Sequence, residues 1–319
     1  MARKLRIEFP GALYHVINRG NYRRDLFESV GAGEAFLVAL AEGVKRYDWR
    51  LHAYVLMRNH FHLAIETPKP NLVEGMHWLQ STVATRFNRF RQERGHLFQG
   101  RFQSLVIEDF SALGRVVDYI HLNPFRAGIV TAAQVGDYRW SSLFRFLRGT
   151  HMHGMVAQEW LHSRGGWNDD SQGWASYRTY LSELAADSAE QKRQGLEGFS
   201  RGWAIGTRGW RQALAQEYAH RKLSVGMERE QIQELKHAAW ESELEARLAS
   251  HNKRQADLQT QPKAMAWKLA VARELRDAGA AVAWIAKHLH LGKPSSVRSY
   301  LSRAKKSEQS ISSGLTPLC

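Results

Sequence analysis

The chain has 319 residues, 44% apolar and 11% aromatic, enough for ordinary buried cores and too apolar for global disorder. No apolar run approaches the roughly 18 residues of a membrane span, Met1-Ala2-Arg3-Lys4 leads into no signal-peptide core, and the single cysteine, Cys319, excludes an internal disulfide framework and a cysteine-rich zinc site. The lack of such a span or core predicts a cytoplasmic protein without a membrane, and a net charge of +14, from 45 basic and 31 acidic residues, one that meets a polyanion; nucleoid association and no small-molecule cofactor are the accompanying expectations.

The charge is unevenly spread: residues 1–149 carry 21 Lys and Arg against 13 Asp and Glu, 150–261 carry 14 against 15, and 262–306 carry 10 against 2. In the first block 18 of the 21 are Arg, whose planar fork pairs with phosphate; the alternative is a merely cationic surface.

Taken in chain order, residues 14–18 read as a strand closed by the turn signal Arg19-Gly20-Asn21. Residues 34–47 place Phe36, Leu37, Leu40 and Val44 at helical spacing. Residues 49–57 and 60–67 are two strands parted only by Arg58-Asn59, a hairpin-length break. A helix over 72–91 follows, then a strand over 102–109, then a helix from 112 to about 122 stopped by Asn123-Pro124. The order β-α-β-β-α-β-α predicts an α+β fold, a ferredoxin-like antiparallel sheet backed by helices, with a mostly helical C-terminal region. Residues 150–261 read as an irregular connector, rich in Gly and carrying five of the tryptophans up to Trp210, followed by a charged helix over 228–258. Between 262 and 306 three helices are expected, over 263–277, 281–289 and 295–304, and 307–319 form a tail.

Two groups of residues carry possible chemistry. Alternation puts His60 and His62 on one face of their strand with Phe61 on the other, so both imidazoles can meet one metal ion; each is equally an ordinary hydrogen-bonding group. Tyr119 and Asn123 lie one helical turn apart, a hydroxyl nucleophile beside an amide oxygen, although a core aromatic and a helix stop explain them too. Two imidazoles and an amide oxygen suit a divalent cation that leaves positions open for phosphate oxygens.

Four blocks occur in order here: Phe9-Pro10-Gly11-Ala12-Leu13-Tyr14-His15-Val16, then Tyr54-Val55-Leu56-Met57-Arg58-Asn59-His60-Phe61-His62-Leu63, then Gly95-His96-Leu97-Phe98-Gln99-Gly100-Arg101-Phe102, then Tyr119-Ile120-His121-Leu122-Asn123-Pro124-Phe125-Arg126-Ala127-Gly128. Through them the segment from Tyr14 to Ser142 resembles the REP-associated tyrosine transposases, relatives of the single-tyrosine HUH insertion-sequence transposases. The resemblance assigns Tyr119 as nucleophile, His60, His62 and Asn123 as ligands of Mg²⁺ or Mn²⁺, and hairpin-forming single-stranded DNA as substrate. Phe125 stands where a smaller aliphatic residue is expected, which leaves that set untouched.

The implied reaction is strand transfer: the Tyr119 hydroxyl attacks phosphorus, a 5′-phosphotyrosine forms, and the leaving strand keeps a free 3′ hydroxyl that can reseal it without ATP. A phenol is mostly protonated at neutral pH, so the site must take its proton. His121, two positions along the helix, points away from Tyr119 and is a poor base. Arg86, Arg89, Arg101 and Arg126, interleaved with Phe87, Phe90, Phe98 and Phe102, suit single-stranded DNA, with most of the rings expected in the core.

Near the C-terminus, Trp284 to Gly292 followed by Ser295 to Leu301 resembles a helix-turn-helix, somewhat like the DNA-binding domain of the replication initiator DnaA. Ser295 would cap the second helix, Val297 and Leu301 would face inward, and Ser296, Arg298 and Arg303 would meet duplex DNA flanking the cleavage site. The alternative is a three-helix bundle whose basic face binds phosphates without reading sequence. For the whole protein the competing reading is a non-cleaving DNA-binding regulator. A replication-initiator relaxase shares the chemistry but leaves the Arg58-Asn59 and Asn123-to-Ala127 blocks unaccounted for.

Overall fold

The computed structural model describes residues 6–219, 229–263 and 265–302. Their contacts separate into two units, one of residues up to 211 with 229–232, the other of 212–219 and 233–302.

In the first unit β1 (Ala12–Arg19), α1 (Val30–Tyr47), β2 (Arg50–Met57), β3 (His60–Thr67), α2 (Leu72–Arg91), β4 (Gln103–Ile107) and α3 (Phe110–Arg126) follow the order read from periodicity. Side-chain caps fix two helix starts: Ser29 accepts from the Ala32 amide at 3.2 Å and Asp109 from the Ala112 amide at 2.7 Å. The sheet runs β2-β3-β1-β4-β5. β1 lies between β3 and β4, antiparallel to both, in the ferredoxin-like arrangement.

A fifth strand extends the expected antiparallel sheet at its β4 edge. β5 (Ala204–Ile205) pairs parallel with β4 and comes from the region read as an irregular connector. After α4 (Ser142–Phe146), that region is mostly ordered helix: α5 (Gln158–Gly165), α6 (Ser171–Ala186) and α7 (Ser188–Arg193) fold with the sheet, so the chain does not divide at 149. Its aromatic residues, scattered in sequence, form one core, with Trp160 and Tyr177 fully buried and the Phe146 and Trp174 rings stacked 4.4 Å apart.

Strand register defines two faces. Ile17 pairs with His62 and His15 with Ala64, so His15, Ile17, His60 and His62 share one face. The other carries Phe61, which meets Phe36 of α1 at 4.8 Å. Burying a ring such as Phe61 stabilises the fold by about 1.5–3 kcal/mol and holds the histidines in register.

α3 does not stop at Asn123-Pro124 as its sequence suggested, but continues to Arg126. Pro124 removes only the amide that would reach back to residue 120. The following turn survives because the Ala127 amide donates to the Asn123 carbonyl at 3.0 Å, while Leu122, Asn123 and Pro124 are all buried. Burial of this turn outweighs the local preference, and Asn123 stays helical, one turn beyond Tyr119.

The side of α3 bearing Asp118 and His121 is locked by a closed hydrogen-bond chain. Tyr54 N–H donates to Ser142 Oγ at 2.9 Å, and Ser142 Oγ lies 2.8 Å from His121 Nε2. His121 Nδ1 lies 3.0 Å from Tyr177 Oη, which donates to Asp118 Oδ1 at 2.9 Å. Asp118 Oδ2 accepts from Arg164 Nε at 2.8 Å and from Tyr180 Oη at 2.9 Å. Gly114 permits this approach: a Cβ there would stand 2.4 Å from Arg164 Cδ.

In the second unit, beyond α8 (Arg208–Ala219), which spans the division, come α9 (Arg229–Ser250), α10 (Asp257–Thr260), α11 (Ala266–Asp277), α12 (Val282–His288) and a helix α13 over 294–302. The single helix expected to 258 is broken after Ser250, where Asn252 adopts a left-handed conformation (φ 52°). Leu244, Leu248 and Leu258 share a core with Val271, Leu275, Ile285, Leu289 and Val297, so the unit begins well before the expected boundary at 262.

α13 starts at Pro294, whose missing N–H costs nothing in a first turn, and the Lys293 carbonyl accepts from Ser296 N. Ser295 therefore lies inside the helix and is not its cap. Val297 is buried and Leu301 packs on the core, while Arg298 is exposed and Ser296 half-buried. Arg303 and the 307–319 tail lie outside the described residues. No helix among the described residues is long and apolar enough to cross a membrane.

Candidate active site

The sheet face that carries the histidines meets the Tyr119 side of α3. The Tyr119 ring centre stands 5.6 Å from that of His62 and 5.7 Å from that of His15, edge-on to both. His60 and His62 rings are 5.1 Å apart. Asn123 is tied to Tyr119 through its amide, Nδ2 donating to the Tyr119 carbonyl at 2.9 Å, so its Oδ1 is left as an acceptor. The structure thus brings His60, His62 and Tyr119 together. Asn123 joins them through the helix backbone, and among the described residues no contact links its side chain to either imidazole.

Burial sets the charge state of the imidazoles. His15, wholly buried, is pushed down to about 4 by desolvation, partly offset by its bond to the Phe199 carbonyl. His62 is held well below the usual imidazole range by burial and then by the neighbouring His15 and His60. His60 is lowered by burial and by Arg19, its cross-strand partner. All three are neutral at pH 7, the state in which an imidazole can bind a metal. Among the described residues no group of three or more His, Cys, Asp or Glu could hold a metal ion. A cation at this site would depend on two imidazoles 5.1 Å apart plus an amide oxygen, a donor set that leaves positions for phosphate oxygens to complete the shell of a divalent ion.

Three further residues contribute to the site without a spacing signal in the sequence. His15 lies between the site and the chain far downstream: its Nδ1 is 2.8 Å from the Phe199 carbonyl and its Nε2 is 2.9 Å from His62 Nδ1. Phe199 also sets its ring edge-on to Tyr119 at 6.1 Å. Asn59 stands 2.9 Å from His60 Nδ1 through its Oδ1, and its Nδ2 donates to the Arg23 carbonyl at 3.2 Å. In the sequence His15 stood only as a residue of the first strand and of the first of the four blocks, and Phe199 carried no signal at all.

The arginines fall in two groups. Arg126 is exposed and its guanidinium lies 5.3 Å from the Tyr119 ring centre. Arg86, exposed on α2, is paired with Glu42 of α1 at 2.8 Å, and Arg89 and Arg101 are exposed. Phe98 and Phe102 are core residues, as most of these rings were expected to be, and Arg6 packs 3.4 Å over the Phe102 ring. The rings that face water are Phe90, 82% exposed, and Tyr22, 93% exposed and in a left-handed conformation (φ 52°).

With a ferredoxin-like sheet and a histidine pair facing a helical tyrosine established, the chain can be compared with known proteins. Residues 9–123, about a third of the chain, match the family model described as IS200-like transposase. A solved structure described as a REP-associated tyrosine transposase bound to a REP hairpin is 21% identical, covering 47% of this chain and 88% of that one, with a TM-score of 0.40. No curated protein matches the chain.

Proposed function

We propose that the protein is a metal-dependent single-stranded DNA transesterase that nicks and rejoins hairpin-forming repeat DNA through a 5′-phosphotyrosine. The observation that carries this reading is the 5.6 Å between the Tyr119 and His62 rings within one chain, which lets nucleophile and histidine pair address the same phosphodiester. His60, His62 and Asn123 would hold Mg²⁺ or Mn²⁺. When bound, the cation polarises a non-bridging phosphate oxygen and offsets the charge developing on phosphorus.

The rest is the work of the chain itself. Tyr119 Oη forms a bond to phosphorus, the bond from phosphorus to the 3′ oxygen breaks, and the 3′ oxygen takes up a proton while the phenol loses one. His121 is no base for that proton, because both its nitrogens are spent on Tyr177 and Ser142. Arg126 supplies positive charge beside the ring, and Arg86, Arg89 and Arg101 hold the strand by its phosphates. In the second unit Ser296, Arg298 and Arg303 would contact duplex DNA beside the hairpin. Residence in the cytoplasm at the nucleoid follows from such a substrate.

The test is incubation of the full chain with Mn²⁺ and hairpin oligonucleotides drawn from repeats beside its gene. A denaturation-resistant protein–DNA adduct, absent in Tyr119→Phe, is the expected result. Hairpin binding without any adduct over a broad panel would overturn the enzyme reading in favour of the non-cleaving regulator.

A further inference from the structure

We infer that His15 is a positioning residue that fixes the tautomer of His62, so that His62 presents a lone pair on Nε2; this rests on the metal-binding reading above. A carbonyl oxygen only accepts, so the nitrogen facing Phe199, His15 Nδ1 at 2.8 Å, carries the proton. His15 is fully buried and pairs with no carboxylate among the described residues, so it carries no second proton, and its Nε2 is an acceptor. Across 2.9 Å from that acceptor, His62 Nδ1 must donate. The proton of His62 is thereby committed to the side away from its Nε2, which makes no hydrogen bond among the described residues.

His60 is set by the same logic from a different direction. Asn59 Nδ2 donates to the Arg23 carbonyl at 3.2 Å, which turns Oδ1 toward His60 Nδ1 at 2.9 Å. That nitrogen is again the donor, and Nε2 is again left with its lone pair. Each imidazole of the pair is thus braced by a side chain that is itself anchored on a backbone carbonyl. Outer partners of this kind fix ring orientation and ligand basicity in metal sites. The brace on His62 makes the 196–205 segment part of the site: Phe199 lies on it, and the same segment is fastened to β4 where Val106 N donates to the Trp203 carbonyl at 3.0 Å.

The chemistry predicts which substitutes serve. Gln at position 15 offers an amide N–H to the Phe199 carbonyl and an amide oxygen to His62 Nδ1. Leu offers neither, and frees His62 to move its proton to Nε2. Two measurements on the full chain decide the matter. Long-range ¹⁵N–¹H correlation on metal-free, ¹⁵N-histidine-labelled wild type should show His62 protonated at Nδ1 and bare at Nε2. Mn²⁺ titration followed by electron paramagnetic resonance should show His15→Leu weakened by about 10–100-fold, with His15→Gln restored to within several-fold of wild type.

His62 protonated at Nε2 in the wild type overturns the inference, as does tight Mn²⁺ binding by His15→Leu. Wild type that takes up no Mn²⁺ while keeping His62 protonated at Nδ1 would instead overturn the metal reading and support the tautomer lock. Should His15→Leu fail to fold, the wild-type spectrum still decides.

Discussion

Imidazoles stand on both sides of α3, His121 on one and the His60–His62 pair on the other, and they differ in what is left over. On one side His121 spends both nitrogens, on Tyr177 and Ser142, within a chain that closes on Asp118 and Arg164. On the other, His60 and His62 use Nδ1 and leave Nε2 without a hydrogen-bond partner among the described residues. His62 and His121 are both buried, and all three are neutral, so burial does not separate a scaffold from a site. Unspent bonding capacity does: a satisfied network holds the helix, and an unsatisfied pair facing a tyrosine is available to a ligand.

The sharpest way to break this comparison is to alter the two sides of α3 separately. Tyr119→Phe should abolish the DNA adduct while shifting the urea midpoint little; an adduct that persists would remove Tyr119 from the chemistry. Asp118→Ala acts on the other side, leaving Arg164 without its carboxylate partner, and should cost about 3–5 kcal/mol in urea unfolding. A cost below about 1 kcal/mol would mean that the network does not hold the helix.

Acid tests the His121 side more gently. Burial depresses the His121 pKa to about 3, against an ordinary 6.5 in the unfolded chain. The unfolded state therefore binds the extra proton first. The stability involved is fully present above pH 6.5 and is lost as pH falls toward 3, by about 1.4 kcal/mol per unit. Urea melts between pH 7 and 4.5 should show this slope reduced in His121→Gln; an unchanged slope would place the acid sensitivity elsewhere. The smallest effect is expected at Arg86→Ala. Its exposed pair with Glu42 contributes at most about 1 kcal/mol, while the salt dependence of hairpin binding should flatten by about one phosphate contact.

Much of the fold was legible. β3 and α2 start and stop where alternation and helical spacing put them, because each buries one face against a core and the period records which face. The errors came where local signals competed with packing. Asn123-Pro124 reads as a stop, yet the buried turn around it keeps α3 helical to Arg126. Residues 150–211 lack a clean period because their helices are short and meet neighbours on several sides, so their role as a second layer on α3 and as the source of β5 could not be read.

The sequence by itself determined the order of the first seven elements and the common face of His60 and His62, since both depend only on backbone period. Tertiary structure alone decided that the Tyr119 ring meets His62, and that His15 and the Phe199 carbonyl, 184 residues apart, stand behind it. The reason is physical: a strand or helix repeats itself every few residues, whereas the partner of an imidazole nitrogen is set by which distant segment packs against it.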